Sequence, residues 1–166
     1  PRSVFLIKPA GYDVPLRADG LPDTWTNLQP VAGPALRFGG VPASPGVGCR
    51  DFALRPAAAT TSGALDVLVF GDPQLKSMVD ASYYDIDIVA PVRQRKNAQL
   101  GITLGDLVND DLSLFPALKA VDARLGLPWL HAPGNHDIDF DATHDDQSLD
   151  SFRHAFGPDT YACEEA

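Results

Sequence analysis

The chain is poor in cysteine, in cations and in long apolar runs, and each shortage excludes something. Only two cysteines occur in 166 residues, Cys49 and Cys163, and there is no CxxC. A zinc ribbon and a thioredoxin-type site are therefore excluded. Whether the two thiols pair in an oxidising compartment is left open by their spacing. Lys and Arg number 13 against 22 Asp and Glu, for a net charge of -9. Nucleic-acid backbones are gripped by clusters of Lys and Arg, so nucleic acid is not an expected partner. An anionic membrane surface is disfavoured for the same reason. Arg93, Arg95 and Lys96 form the densest positive patch, and we read it as facing water. No apolar stretch approaches the roughly 20 residues of a membrane span, so no membrane partner is expected. GxxxxGK, GxSxG and HExxH are all missing, which removes support for a P-loop, a nucleophile elbow and a zincin helix. The chain opens on Pro1, without an initiator Met or a secretory leader pattern, and this reads as a processed or engineered piece. The acidic excess itself has two readings. One is plain solubility; the other is a set of carboxylates gathered to hold metal cations.

Proline and glycine are unevenly placed. Residues 1–60 hold nine of the 15 prolines and seven of the 14 glycines. Val4-Phe5-Leu6-Ile7 reads as a short strand, and little periodicity follows from residue 17 to 58. The expectation is an irregular Pro/Gly-rich arm over 1–60 with one short strand. It is pinned by Phe38, Val41 and Phe52 and wraps a neighbour such as another copy of the chain. An unstructured arm of this length is unusual inside a compact domain.

A second unit, 61–166, has a different pattern. "ALDVLVFGD" (64–72), "AQLGITLGD" (98–106) and "PWLHAPG" (128–134) read as strands. Between and after them come helical stretches. Residues 76–96 read as a helix or two interrupted near Pro91. Residues 112–125 place Leu114, Leu118, Val121 and Leu125 on one side, with Pro116 fitting only the first turn. A short helix over 148–156 is closed by Gly157-Pro158. Alternating strands and helices predict parallel βαβ units and a layered α/β sheet.

Each of the three strands runs into glycine and then into metal-donor chemistry: Gly71-Asp72-Pro73-Gln74, Gly105-Asp106 with Asn109 and Asp110 beyond, and Gly134-Asn135-His136-Asp137. Open α/β sheets bind ligands at the carboxyl ends of their strands. Parallel neighbours lie about 4.8 Å apart, close enough for three ends to share one metal pair. Taken singly, each motif has a bland explanation. Gly-Asp-Pro is an ordinary turn, Asn109, Asp110 or Asp111 caps the next helix, and Gly134-Asn135 suits a left-handed loop. Turn chemistry accounts neither for His136-Asp137 nor for the same placement three times.

The ordered set D-x-[H/Q], G-D-x-x-[N/D], G-N-H-[D/E] resembles the opening of the calcineurin-like metallophosphoesterases, over about residues 64–160. "VFLIKPAGYDVPL" and "FGPDTYA" are similar to a bacterial branch with an N-terminal β domain and a further C-terminal domain. The resemblance implies a layered α/β sheet of that type, hydrolysis of a phosphomonoester or phosphodiester substrate, and a hydroxide activated by two divalent metal ions. It implies that Asp72 and Gln74 hold metal one, that Asp106 bridges, and that Asn135 holds metal two. His136 would stand at the phosphate as proton donor, with Asp137 holding its imidazole. Gln74 stands where many members carry histidine. An amide oxygen is harder and weaker, which shifts preference from Zn toward Mn or Fe.

The family completes its metal shells with a later histidine and a G-H-x-H segment, and neither occurs here. Among the remaining histidines, His131 reads as a packing residue, His154 as solvated, and His144 as part of a solvated acidic loop, with a stand-in ligand as the lesser alternative. The expectation is therefore an incomplete core, weak or inactive alone, that dimerises through an exposed sheet edge or the arm. The branch points to a periplasmic or secreted protein, with the cytoplasm as the alternative. The rival reading is a catalytically inert interaction module that binds metal weakly and self-associates.

Overall fold

A computed structural model of the protein describes residues 3–27, 35–36, 39–40, 49–58, 65–95 and 97–160. The fold is α/β. Six strands of two or three residues lie in the first part: β1 (Ser3–Phe5), β2 (Tyr12–Asp13), β3 (Trp25–Asn27), β4 (Ala35–Leu36), β5 (Gly39–Gly40) and β6 (Arg55–Pro56). They pair antiparallel as β1 with β3, β2 with β6 and β4 with β5. Among the described residues the expected single strand is thus one of six, because strands of two or three residues are too short to leave an alternating apolar pattern. Phe38 and Val41 lie outside the described residues, and Phe52 is half-buried.

This part packs on the rest of the same chain. Leu21 and Trp25 belong to the main hydrophobic core. The Trp25 indole has the Arg17 guanidinium 4.6 Å from its ring centre, and on its other flank Gly157, where a Cβ would strike the indole. Asp19 bridges Arg17 at 2.8 Å and Lys119 at 3.1 Å. Burial pushes the Asp19 carboxyl up, but the two cations outweigh it and the pKa is lowered.

The second part holds a three-stranded parallel sheet in the order β7-β8-β9, with β7 (Val67–Gly71), β8 (Leu100–Leu104) and β9 (Trp129–Ala132). Between β7 and β8 runs one continuous helical stretch. α1 (Met78–Tyr83) passes into a π segment (Tyr84–Val89) and then α2 (Ala90–Val92). Ser77 caps it by accepting from the Asp80 amide. The stretch carries through Pro91 and ends one residue beyond it, at Val92, short of the expected 96. The wide turn immediately before Pro91 relieves the crowding a proline ring imposes on the carbonyl four residues back. Between β8 and β9 lie a 3-10 turn (Leu112–Leu114) and α3 (Phe115–Asp122), with Pro116 in its first turn. Asp111 caps the turn by accepting from the Ser113 amide. After β9 comes α4 (Asp150–Phe156), ended by Gly157 at φ 93°.

Register separates the two faces of the sheet. Leu68, Phe70, Thr103, Trp129 and His131 fall on one face and Val67, Val69, Ile102, Leu104 and Leu130 on the other. Helices cover the first. Phe70 meets Tyr84 edge-on with ring centres 6.0 Å apart, and His131 lies 4.4 Å from Phe156. Trp129, Phe115, Phe152 and Leu118 are fully buried, each worth about 1.5–3 kcal/mol relative to exposure. The second face is apolar, yet Val69 is 57% and Leu104 55% exposed. Among the described residues no helix is long and apolar enough to cross a membrane. Cys49 is exposed; Cys163 lies outside the described residues.

Candidate metal centre

The parallel register sets Gly71 beside Leu104 and Leu104 beside Ala132, so the three donor-bearing loops leave the sheet side by side. Beyond the strands the loops bond to one another. The Gln74 amide donates to the Asp106 carbonyl at 2.8 Å, Leu75 to Leu107 at 3.2 Å, and Asn109 back to Leu75 at 2.8 Å. The Gly105 amide donates to the Ala132 carbonyl at 3.1 Å. Gly134 lies so close to Asp106 that a Cβ there would overlap both its carboxylate and its amide. That contact explains the glycine before Asn135 better than turn propensity does.

Backbone strain is concentrated here. Among the described residues four non-glycine residues have positive φ: Asp72 (54°), Gln74 (45°), Asp106 (46°) and Asp110 (68°). Aspartate tolerates the left-handed region, but each such residue still costs about 1–2 kcal/mol. Three of the four are expected metal donors. Surroundings must hold such conformations in place, and they gather at functional sites.

The Asp106 carboxylate accepts the His136 amide at 3.1 Å. His136 in turn accepts the Asp110 amide on its carbonyl at 3.3 Å, and its Nδ1 lies 2.7 Å from Asp110 Oδ1. The expected partner of this imidazole, Asp137, is elsewhere. Asp137 is fully buried, and its two oxygens accept the amides of Gly134 (2.8 Å), Leu107 (3.0 Å) and Val108 (3.1 Å). The correction has a simple cause. Asp137 follows a glycine turn that faces it inward, where three unsatisfied amides need an acceptor, while Asp110 rises on the open side. Burial lifts the Asp137 carboxyl above its ordinary value against the pull of those amides. His136 is raised above 6.5, chiefly by its bond to Asp110, with Asp106 and Asp137 adding to it.

Asp110 was legible as a member of the donor-bearing run after β8 and as one of three cap candidates, not as the partner of His136. Its neighbour Asp111 takes the cap, which leaves Asp110 for the imidazole. Of the other histidines, the His131 side chain is 1% exposed and bonds Asp122 at 2.9 Å, as a packing residue should. His144 is exposed at the start of a short turn, and His154 is half-buried on α4 rather than fully solvated. Arg93 and Arg95 are exposed as expected; Lys96 lies outside the described residues.

The donor set can be weighed against a metal by its chemistry. Among the described residues the side chains of Asp72 and Gln74 make no hydrogen bond or ion pair, and Asp106 gives one oxygen to an amide. Three oxygen donors from two loops suit one hard divalent cation. A second cation would have only Asp106 and Asn135, fewer than the three protein ligands usual for a metal site. Among the described residues no group of three or more His, Cys, Asp or Glu is placed to hold a metal.

No protein-family model and no curated protein matches the chain. Among solved structures it is similar to the purple acid phosphatase PPD1 isolated from yellow lupin (Lupinus luteus) seeds, at 17% sequence identity and a TM-score of 0.41. The likeness covers 61% of this chain and 20% of that one, so the chain spans a fifth of that protein. A likeness this slight bears on neither activity nor ligands.

Proposed function

We propose that this chain carries the metal- and phosphate-facing loops of a metal-dependent phosphoesterase. The observation that carries the reading is the strain: Asp72, Gln74 and Asp106 all occupy the left-handed region at adjoining strand ends, with no side-chain partner among the described residues for the first two.

Asp72, Gln74 and Asp106 would hold the first divalent ion, and Asp106 with Asn135 would contribute to a second. Bound ions of this kind supply Lewis-acid polarisation of a phosphoryl oxygen and a nucleophile at neutral pH. His136 is the proton donor in this reading. Asp110 fixes Nδ1, which leaves Nε2–H to protonate the departing alkoxide. Asp137 positions the Gly134 turn and the 106–108 turn against each other through three amides. Asp106 orients the same segment through the His136 amide.

The test is hydrolysis of p-nitrophenyl phosphate with and without Mn²⁺ by the polypeptide that carries these residues. Weak Mn²⁺-dependent turnover, as an incomplete donor set implies, is expected, and it disappears in Asp106→Asn and falls about 100-fold in His136→Ala. Turnover indifferent to Asp106→Asn contradicts the reading. One observation favours the rival interaction module: the bare apolar sheet face with Val69 and Leu104 exposed suits association. A dimeric mass by sedimentation together with no metal-dependent turnover would select it.

A further inference from the structure

Along the edge of β7 to which no strand among the described residues pairs runs a groove of about 770 Å³. Asp72 and Gln74 line it where the strand ends, so the groove is continuous with the proposed metal site. Further along, its walls are apolar. Val69 is 57% exposed on the strand side, and Tyr83 (60%) and Ile88 (45%) are exposed on the helix side. Phe70 forms part of the wall and is held rigid by ring contacts to Tyr84 and Trp129. The Tyr84 hydroxyl is already committed to Asp122, which leaves that side chain as wall rather than as a polar contact.

The charges in the groove are few and uneven. Asp80 and Asp87 line the helix side. The Asp80 carboxylate is engaged by the Lys76 amide and the Ser77 hydroxyl. Lys76 is the one cation among the lining residues, two positions beyond Gln74, and its ammonium meets no carboxylate among the described residues. A second phosphate carried into the groove would meet acids along the helix and this single lysine at the mouth. A flat or aliphatic group would instead cover Val69, Tyr83 and Ile88. Ligand sites combine such apolar walls with a few convergent polar groups.

We infer that this groove holds the ester arm that is retained rather than displaced, so that the substrate class is a phosphodiester with an aromatic or apolar arm. The inference rests on the phosphoesterase reading, which sets the first metal ion beside Asp72 and Gln74 and the departing alkoxide beside His136. His136 is not among the residues lining the groove, so the arm that follows the β7 edge is the one His136 does not protonate.

The experiment measures equilibrium binding of phenylphosphonate, methylphosphonate and pyrophosphate in the presence of Mn²⁺, with Mn²⁺ affinity followed separately by its paramagnetic resonance. Phenylphosphonate is expected to bind about tenfold more tightly than methylphosphonate, as burial of one ring implies. The preference collapses in Tyr83→Ala, while methylphosphonate and Mn²⁺ affinities stay unchanged. Tyr83 is mostly exposed, so its truncation leaves the fold intact; Ile88→Asn is the second variant and lowers the preference in the same way. Equal binding of the two phosphonates, a preference that neither variant moves, or tightest binding of pyrophosphate overturns the inference while leaving the metal reading in place. Absence of Mn²⁺ binding overturns the phosphoesterase reading itself, and this inference with it.

Discussion

His131 and His136 lie five residues apart, and each meets an aspartate, at 2.9 Å and 2.7 Å. The pairs match in chemistry and differ in setting. His131 and Asp122 are 1% and 2% exposed under the helices, where Asp122 also accepts the Tyr84 hydroxyl at 2.7 Å. His136 and Asp110 are 29% and 30% exposed at the strand ends, on a left-handed backbone at Asp110. The first pair ties β9, α3 and the π segment together. The second ties two loops but leaves a ring nitrogen open. His131 Nδ1 is likewise without a hydrogen-bond partner among the described residues, so neither a His–Asp contact nor an open ring nitrogen says anything about role; burial decides it.

Breaking the buried pair should have the largest effect. Asp122→Ala strands the Tyr84 hydroxyl and the His131 ring without water, and a loss of about 3–5 kcal/mol is expected from the denaturant midpoint. Asp137→Ala tests whether a neighbour of the open pair behaves like a member of the buried one. It leaves three amides unpaired, and about 3 kcal/mol should be lost. Tyr84→Phe removes one bond of the buried network while keeping the ring contact to Phe70, at a cost of about 1–2 kcal/mol. An unfolding midpoint unchanged in Asp122→Ala would mean the buried contact does not hold these elements.

Asp110→Asn should change stability least and titration most. In metal-free protein the His136 pKa lies above 6.5, and the substitution should bring it down toward that value in an NMR titration. The sign follows from the raised folded value. The pair's stabilisation is complete below about pH 6.5 and fades as pH rises through the folded pKa, so wild type and variant converge in alkaline solution. A His136 titration that does not move would assign the imidazole to another partner.

Much of this was legible in the sequence. The three strands, the βαβ alternation and the Pro116 helix start follow from apolar pattern and proline chemistry, which act locally. That the loops carrying Asp72, Asp106 and Asn135 leave the sheet side by side followed from glycine placement at strand ends, given a parallel sheet. The partner of His136 did not follow. Asp110, Asp111 and Asp137 are chemically alike, and only the turn geometry sorts them into imidazole partner, helix cap and buried amide acceptor. The uninterrupted helix through Pro91 was hidden as well, because a π turn leaves no mark in hydrophobic spacing. Nor could local sequence disclose that Trp25 docks on Gly157 across most of the chain.

The central claim is that three strand ends share one cation pocket. Anomalous scattering from a crystal grown with Mn²⁺ measures it most directly. A peak within coordination distance of both the Asp72 and Asp106 carboxylates, absent in Asp106→Asn, is the predicted result. A wild-type crystal with no peak there, or with manganese bound only among the exposed acids of 139–146, would contradict it.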